Sequence, residues 1–182
     1  RGFARFVDAH TIEVDGERFS APHIVIATGG RPEVPDTPGA EFGIDSDGFF
    51  ALETQPRRVA VVGAGYIAVE LAGVLNALGS AVHMLVRGPH LLRPFDAMLR
   101  DELGAQMRED GVDLRFGTRV EAVTRQADGS LRVACDGGGV LEVDALVWAT
   151  GRRANTDRLR LEAAGLSADA RGMVATDAFQ NT

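Results

Sequence analysis

Residues Gly63-Ala64-Gly65-Tyr66-Ile67-Ala68 form a G-x-G-x-x-A run where a short apolar stretch, Arg58 to Val62, gives way to a helical pattern. Each small residue in such a run has a mechanical task. Gly63 makes a tight turn, Gly65 lets the backbone come close to a pyrophosphate, and Ala68 permits close packing of helix on strand. The helix that follows presents unpaired N–H groups at its N-terminus, which suits an anion. A lone G-x-G is also compatible with an ordinary turn rich in small residues. Here strand, loop, amphipathic helix and a second strand occur in register, which favours a dinucleotide loop.

The surrounding pattern extends that unit. Arg58 to Val62 reads as a strand, Gly63 to Gly79 as a helix, Ala81 to Val86 as a strand, Asp96 to Asp110 as a helix and Val112 to Phe116 as a third strand. This order is βαβαβ and predicts a Rossmann-like α/β fold with a parallel sheet. In the first helix Ile67, Leu71, Val74, Leu75 and Leu78 fall on one apolar stripe, with Gly79 as its stop. In the second, Asp96 is the expected cap, Leu99, Leu103 and Met107 the buried row, and Gly111 the end. Strands are then expected at about 119–126, 130–136 and 140–143, joined by Asp128-Gly129 and Gly137-Gly138-Gly139. Such a meander is too small to stand alone, so it is expected to cover one face of the parallel sheet.

Residues 3–27 read as short β segments: Arg5-Phe6-Val7, Thr11 to Val14 and Glu17 to Ser20, with Asp15-Gly16 as a hairpin turn, then His23 to Ala27 as a buried strand. From Thr28 to Gly43 the chain is rich in Gly and Pro, which reads as a crossing loop. Ile24 to Arg31 and Ala145 to Arg152 echo each other, each an apolar stretch followed by Ala-Thr-Gly and an arginine. Such a pair suggests two crossings between the same neighbouring domains. Residues 44–151 are therefore expected to form an inserted nucleotide-binding domain, flanked by 1–43 and 152–182 as strips of a second, incomplete domain. With no initiator Met or signal pattern at Arg1-Gly2-Phe3, the expectation is a piece of a longer protein.

The end of the second strand bears on which dinucleotide. An NAD site usually places an acidic residue there for the ribose 2′-hydroxyl, but this chain has Val86-Arg87-Gly88, with Arg93 six residues on. Guanidinium groups pair with phosphate oxygens through forked, charge-assisted hydrogen bonds, so two of them suit the 2′-phosphate of NADP. Two solvated surface arginines are the alternative. Local cationic character stands out because the chain as a whole carries net charge −7, the wrong sign for a general nucleic-acid binder. All 19 basic residues are arginine, which excludes lysine Schiff bases and the phosphate-loop lysine of ATPases. One cysteine, Cys135, excludes an intrachain disulfide, and no apolar run approaches the ~18 residues of a membrane span. A cytoplasmic location is expected.

Ser46-Asp47-Gly48-Phe49-Phe50, Val59 to Leu75 (VAVVGAGYIAVELAGVL) and Arg93-x-Phe95-Asp96 resemble the glutathione reductases of the flavin disulfide reductase family. The resemblance runs the length of the chain, through Thr28-Gly29-Gly30 and Gly151-Arg152-x-x-Asn155-Thr156. It implies an enzyme with two cofactors, in which NADPH reduces FAD, FAD reduces a cysteine pair, and that pair reduces oxidised glutathione. This chain would be the NADPH-binding domain with two strips of the FAD domain, inactive by itself and monomeric. The missing FAD and dimerisation domains would be its partners in a homodimer. By position, the family's NADPH contacts fall on Gly63, Ala64, Gly65, Ile67, Ala68, Glu70, Arg87, Arg93 and Gly151. Tyr66 matches an aromatic lid over the flavin, and Glu70 a carboxylate near the nicotinamide. Ala4, Thr28 and Gly29 match stretches beside FAD. Gly88-Pro89 before His90 departs from relatives that carry a basic residue directly after the first arginine.

Other readings stay open. A relative reducing another disulfide, or a nucleotide-binding module without catalysis, would share the same loop. His10, His23, His83 and His90 lack ligand spacing, so no metal site is expected. Cys135, beside Asp136, reads as packing, and Arg152, Arg153, Arg158 and Arg160 as a solvated face. Tyr66, directly after Gly65, is expected to project from the loop and to be more than half exposed.

Overall fold

The computed structural model describes residues 2–182. The chain divides into two compact units: the described residues up to Arg31 together with Arg152–Thr182, and Pro32–Gly151.

The first unit opens with β1 (Ala4–Asp8), β2 (Thr11–Val14) and β3 (Glu17–Ser20), an antiparallel meander in that order. Asp15 and Gly16 form the expected hairpin turn between Val14 and Glu17, which face each other. Phe6, Leu159 and Leu161 are buried together, with Ile12, Ile24 and Ile26 packed against them. His23–Ala27 departs from expectation. It is in no sheet, and Val25 is 86% exposed. An apolar alternation becomes a strand only where a neighbouring backbone takes up its hydrogen bonds, and here no described strand does so. The next strand is instead β4 (Gly30–Pro32), within the stretch read as a loop.

Residues 32–43 pack within the second unit, although the Gly and Pro pattern groups them with the preceding strip. Their anchor is Ala40, which is buried and whose carbonyl accepts a 2.9 Å hydrogen bond from the Trp148 indole. Pro38 likewise accepts from the Val123 amide. A short helix, α1 (Ser46–Phe50), follows, capped by Asp45, whose carboxylate accepts from the amides of Asp47 and Gly48. The sheet then begins with β5 (Arg58–Val62), α2 (Tyr66–Ala77), β6 (Ala81–Val86), α3 (Ala97–Glu109) and β7 (Asp113–Phe116). The meander β8 (Val120–Arg125), β9 (Leu131–Cys135), β10 (Val140–Val143) leads into β11 (Ala145–Trp148). The last strand, β12 (Arg152–Ala154), pairs with β4.

The parallel sheet has four strands in the order β11-β5-β6-β7, so β11 joins β5 with Ala145 opposite Val59 and Trp148 opposite Val62. Its residues feed two cores in alternation. Val59, Val61, Val82, Met84, Val86 and Val147 face a core completed by Ala68, Leu71, Ala72, Leu75 and Met107. Ala60, Val62, Leu85, Leu146 and Trp148 face another, completed by Val123, Leu131, Val133, Leu141 and Val143. The antiparallel meander therefore covers one face of the sheet, as its size demands. Cys135 is buried in that second core, and burial pushes its thiol pKa up, which suits packing rather than reactivity.

The helical stripes are rotated from expectation. In α2 the buried positions are Ala68, Leu71, Ala72 and Leu75, while Val74 is 47% and Leu78 63% exposed. Ala68 and Ala72 bring the helix axis close to the sheet, so the contact line follows the small residues and leaves the larger flanking ones outside. In α3, Met107 is buried and Leu103 partly so, but Leu99 is 59% exposed because only the second half of that helix lies against the sheet core. Asp96 does cap α3, accepting from the Met98 amide at 2.9 Å.

Asp144 locks the entry to β5. Its carboxylate accepts from the amides of Arg57 and Arg58 and from the Arg58 guanidinium at 2.7 Å. The Arg58 guanidinium holds the Asp144 carboxyl below its ordinary pKa. Asp144→Ala should cost about 1–2 kcal/mol at neutral pH. A carboxyl with a depressed folded pKa stabilises the fold above its unfolded value of ~3.9 and loses that contribution as pH falls through the folded value. Chemical denaturation at several pH values should therefore show the gap between the two proteins closing below about pH 4.

Candidate nucleotide site

All four parallel strands point their C-terminal ends to one edge of the sheet, and β5 and β11 are neighbours there. The Gly63 loop after β5 and the Ala149-Thr150-Gly151 segment after β11 therefore leave the sheet side by side. Gly63 takes φ +145, and a Cβ on it would lie 2.2 Å from the Ala149 carbonyl oxygen and 3.3 Å from the Ala68 Cβ. Only glycine fits that approach, and Ala68, wholly buried, is the small partner on the helix side. Gly65 is different. Its φ of −82 is ordinary, and a Cβ there would meet nothing within 4 Å. The fold does not need glycine at 65; open space above its backbone is what a side chain would take away.

Gly65 is the N-cap of α2, with no side-chain cap and no acidic residue in the first turn. The first intrahelical bond near it runs from the Val69 amide to the Gly65 carbonyl at 3.1 Å. The amides of Tyr66, Ile67 and Ala68 precede that bond and have no partner within the helix, so the helix start presents three donors that suit an anion. Tyr66 is 57% exposed and projects from the loop, as expected, while Ile67 packs on the helix-side core. Glu70, one turn further along, is exposed.

Arg87 follows Val86, the fully buried last residue of β6, and is itself exposed. Arg93 is exposed at the far end of the same connection. Among the described residues neither guanidinium has an ion-pair or hydrogen-bond partner, whereas Arg5, Arg31, Arg58 and Arg115 each pair with a carboxylate. The connection is tied back to the glycine loop, because the Leu92 amide donates to the Ala64 carbonyl at 2.7 Å. Gly151 is exposed beyond β11 and held by the Glu33 amide, which donates to its carbonyl at 2.9 Å. The Thr150 hydroxyl donates to the Glu33 carbonyl, closing that pairing. Ala64, Ile67, Ala68, Arg87, Arg93 and Gly151 thus belong to one unit and one edge of its sheet.

The residues matched to FAD lie in the other unit. Ala4 starts β1 opposite Val14, and Thr28 and Gly29 are exposed, with the Asn155 side chain donating to the Thr28 carbonyl and the Asn155 amide to that of Gly29. Among the described residues no group of three or more His, Cys, Asp or Glu side chains is placed to hold a metal ion. Among the described residues no helix is long and apolar enough to cross a membrane.

The sequence profile of pyridine nucleotide-disulphide oxidoreductases matches residues 1–182, the whole chain. The chain belongs to this family. It is 44% identical over 167 residues to a glutathione reductase of Yarrowia lipolytica, covering 90% of this chain and 36% of that one. It is 43% identical over 189 residues to a glutathione reductase of Schizosaccharomyces pombe, covering 100% and 41%. Among solved structures, the HOCl-induced flavoprotein disulfide reductase RclA of Escherichia coli superposes with a TM-score of 0.88 at 31% identity, over 97% of this chain and 41% of that one. The chain thus spans about two fifths of the length of these relatives. The glutathione reductase branch of this oxidoreductase family uses FAD and NADPH. The loop fits such a cofactor: a glycine cradle that a Cβ would fill, free helix amides and two unpaired guanidinium groups.

The two glycines separate fold from binding. Gly63→Ala should lower stability by about 3 kcal/mol, through a forced clash and an unfavourable φ. Gly65→Ala should change stability by less than about 1 kcal/mol yet weaken NADP binding tenfold or more, measured by thermal unfolding beside calorimetric titration. Tyr66→Ala should also stay within about 1 kcal/mol, as for other exposed side chains.

Proposed function

We propose that this chain is the NADPH-binding module of a glutathione-disulfide reductase. The observation that carries the cofactor choice is Arg87, directly after β6 where an NAD site would place a carboxylate, together with Arg93 further along the same connection, both exposed and without partners among the described residues. The amides of Tyr66, Ile67 and Ala68 hold the pyrophosphate at the positive end of α2, and Gly65 leaves room for it. Arg87 and Arg93 take the 2′-phosphate. Gly151 and Ala64 border the adenosine half, and Tyr66 with Glu70 lies toward the nicotinamide. NADPH supplies a hydride and FAD accepts it when both are bound. Tyr66, free of core contacts that would anchor it, acts as the lid that swings aside.

The disulfide substrate follows from the curated relatives named glutathione reductase. The cysteine pair that would pass electrons to glutathione is not in these 182 residues, since Cys135 is the only cysteine. In the whole enzyme, Ala4, Thr28 and Gly29 border FAD, and the unit formed by residues up to Arg31 together with Arg152–Thr182 supplies strips of the FAD domain. That enzyme is a homodimer, with the present chain monomeric and catalytically silent. The structural likeness to RclA favours, as second reading, a flavoprotein reductase of another disulfide.

The 182-residue chain should bind NADP more tightly than NAD by about 100-fold or more, as two charge-assisted phosphate contacts allow. Replacing Arg87 and Arg93 by Ala should remove most of that difference. Added salt should weaken NADP binding more than NAD binding, because the exposed charges are screened over ~8–10 Å. Equal affinities in the unmodified chain, measured by calorimetry, would overturn the assignment.

A further inference from the structure

We infer that Leu92 is a positioning residue for cofactor choice, acting through its backbone by setting Arg93 at a fixed place relative to the pyrophosphate loop. This rests on the reading of Arg87 and Arg93 as the 2′-phosphate pocket. Leu92 takes φ +46, a left-handed conformation. Among the described residues only Asp15, Arg160 and Gln180 share that sign without being glycine, and none of them lies in Pro32–Gly151. Leucine is disfavoured there, because its Cβ crowds the backbone.

Three contacts hold it nonetheless. Its amide donates to the Ala64 carbonyl at 2.7 Å, and its carbonyl accepts from the Phe95 amide at 2.8 Å. Its side chain packs against the helix-side core beside Leu91, which is 2% exposed. The chain thus turns sharply between a residue sunk in the core and Arg93, which is exposed. Arg93 and Pro94 form the centre of the turn that the Phe95-to-Leu92 hydrogen bond closes, and Asp96 caps α3 two residues after Pro94. Arg93 is fixed from both sides, with one of those anchors in the glycine loop itself.

The consequence follows from the cofactor's own geometry. In NADP the pyrophosphate and the 2′-phosphate are joined through one ribose, so their separation is covalently limited. Helix amides at 66–68 and the Arg93 guanidinium engage both groups together only if the two loops keep a matching distance. The Leu92 to Ala64 hydrogen bond sets that distance. NAD, lacking the 2′-phosphate, does not sense it.

The test exploits the fact that backbone preference and packing can be changed in opposite directions. Leu92→Ile and Leu92→Val keep an apolar side chain but disfavour the left-handed region, whereas Leu92→Gly and Leu92→Asn accept that region and lose packing. NADP and NAD are titrated separately into each 182-residue variant, with thermal unfolding measured alongside. The β-branched variants should lose about tenfold in NADP affinity with NAD affinity little changed. The Gly and Asn variants should keep the parent NADP to NAD ratio even where their Tm falls. A ratio that follows Tm across the four variants, or a parent ratio in folded Leu92→Ile, would overturn the inference. Should the β-branched variants not fold, Leu92→Ala against Leu92→Gly decides, since both lose packing and only Ala disfavours the conformation; equal ratios in that pair would also overturn it. Equal NAD and NADP affinities in the unmodified chain would instead overturn the phosphate-pocket reading beneath it.

Discussion

Burial of the parallel sheet on both faces is the constraint from which the rest of the second unit follows. Val59, Ala60, Val61 and Val62 are successive residues of one strand, and all four are at most 9% exposed. Alternate side chains of such a strand point to opposite faces, so a single layer of helices leaves half of them in water. At roughly 1.5–3 kcal/mol for each large apolar side chain, exposing one face would remove an amount comparable to a domain's usual net stability. The helices α2 and α3 cover one face and the antiparallel meander covers the other. Trp148 and Ala40 close the meander side through the indole hydrogen bond, which draws residues 32–43 into this unit.

The same constraint places the proposed nucleotide site. Once the strands are parallel and packed, every connection that leaves their C-terminal ends emerges along one edge, and the crevice there is the general ligand position of open α/β sheets. Gly63 is required by the packing itself, since its backbone passes against the Ala149 carbonyl. Gly65 is not required by packing and faces open space. A chain of net charge −7 then concentrates on that edge an uncapped helix start and two guanidinium groups, those of Arg87 and Arg93, that are unpaired among the described residues. Those cationic groups suit a compact anion, while the net negative charge of the chain disfavours a general polyanion.

Much of this was legible in the amino-acid order. The strands at 58–62 and 81–86, the Asp96 cap, the Asp15-Gly16 hairpin and the meander all follow from patterns of a few residues, because short-range periodicity and turn chemistry are local properties. The exposure of Tyr66 was legible for the same reason, since its place after Gly65 leaves Ile67 and Leu71 to face inward. Legibility failed where a neighbour decides. His23–Ala27 has the composition of a buried strand, yet strand formation depends on another backbone. Val74, Leu78 and Leu99 are apolar at helical spacing, but which of several apolar rows is buried depends on how the helix is set on the sheet.

By itself, the order of residues determined the βαβαβ unit, the glycine loop and the presence of two arginines after the second strand, because each depends on spacings of fewer than twenty residues. Tertiary structure decided that β11 becomes the fourth parallel strand beside β5, that residues 32–43 belong with the sheet, and that Leu92 bends left-handed against Ala64. Those features join segments far apart in the chain, or force a residue against its own backbone preference. Local propensity carries no information about either, since the energy that selects them arises only when the distant partner is already in place.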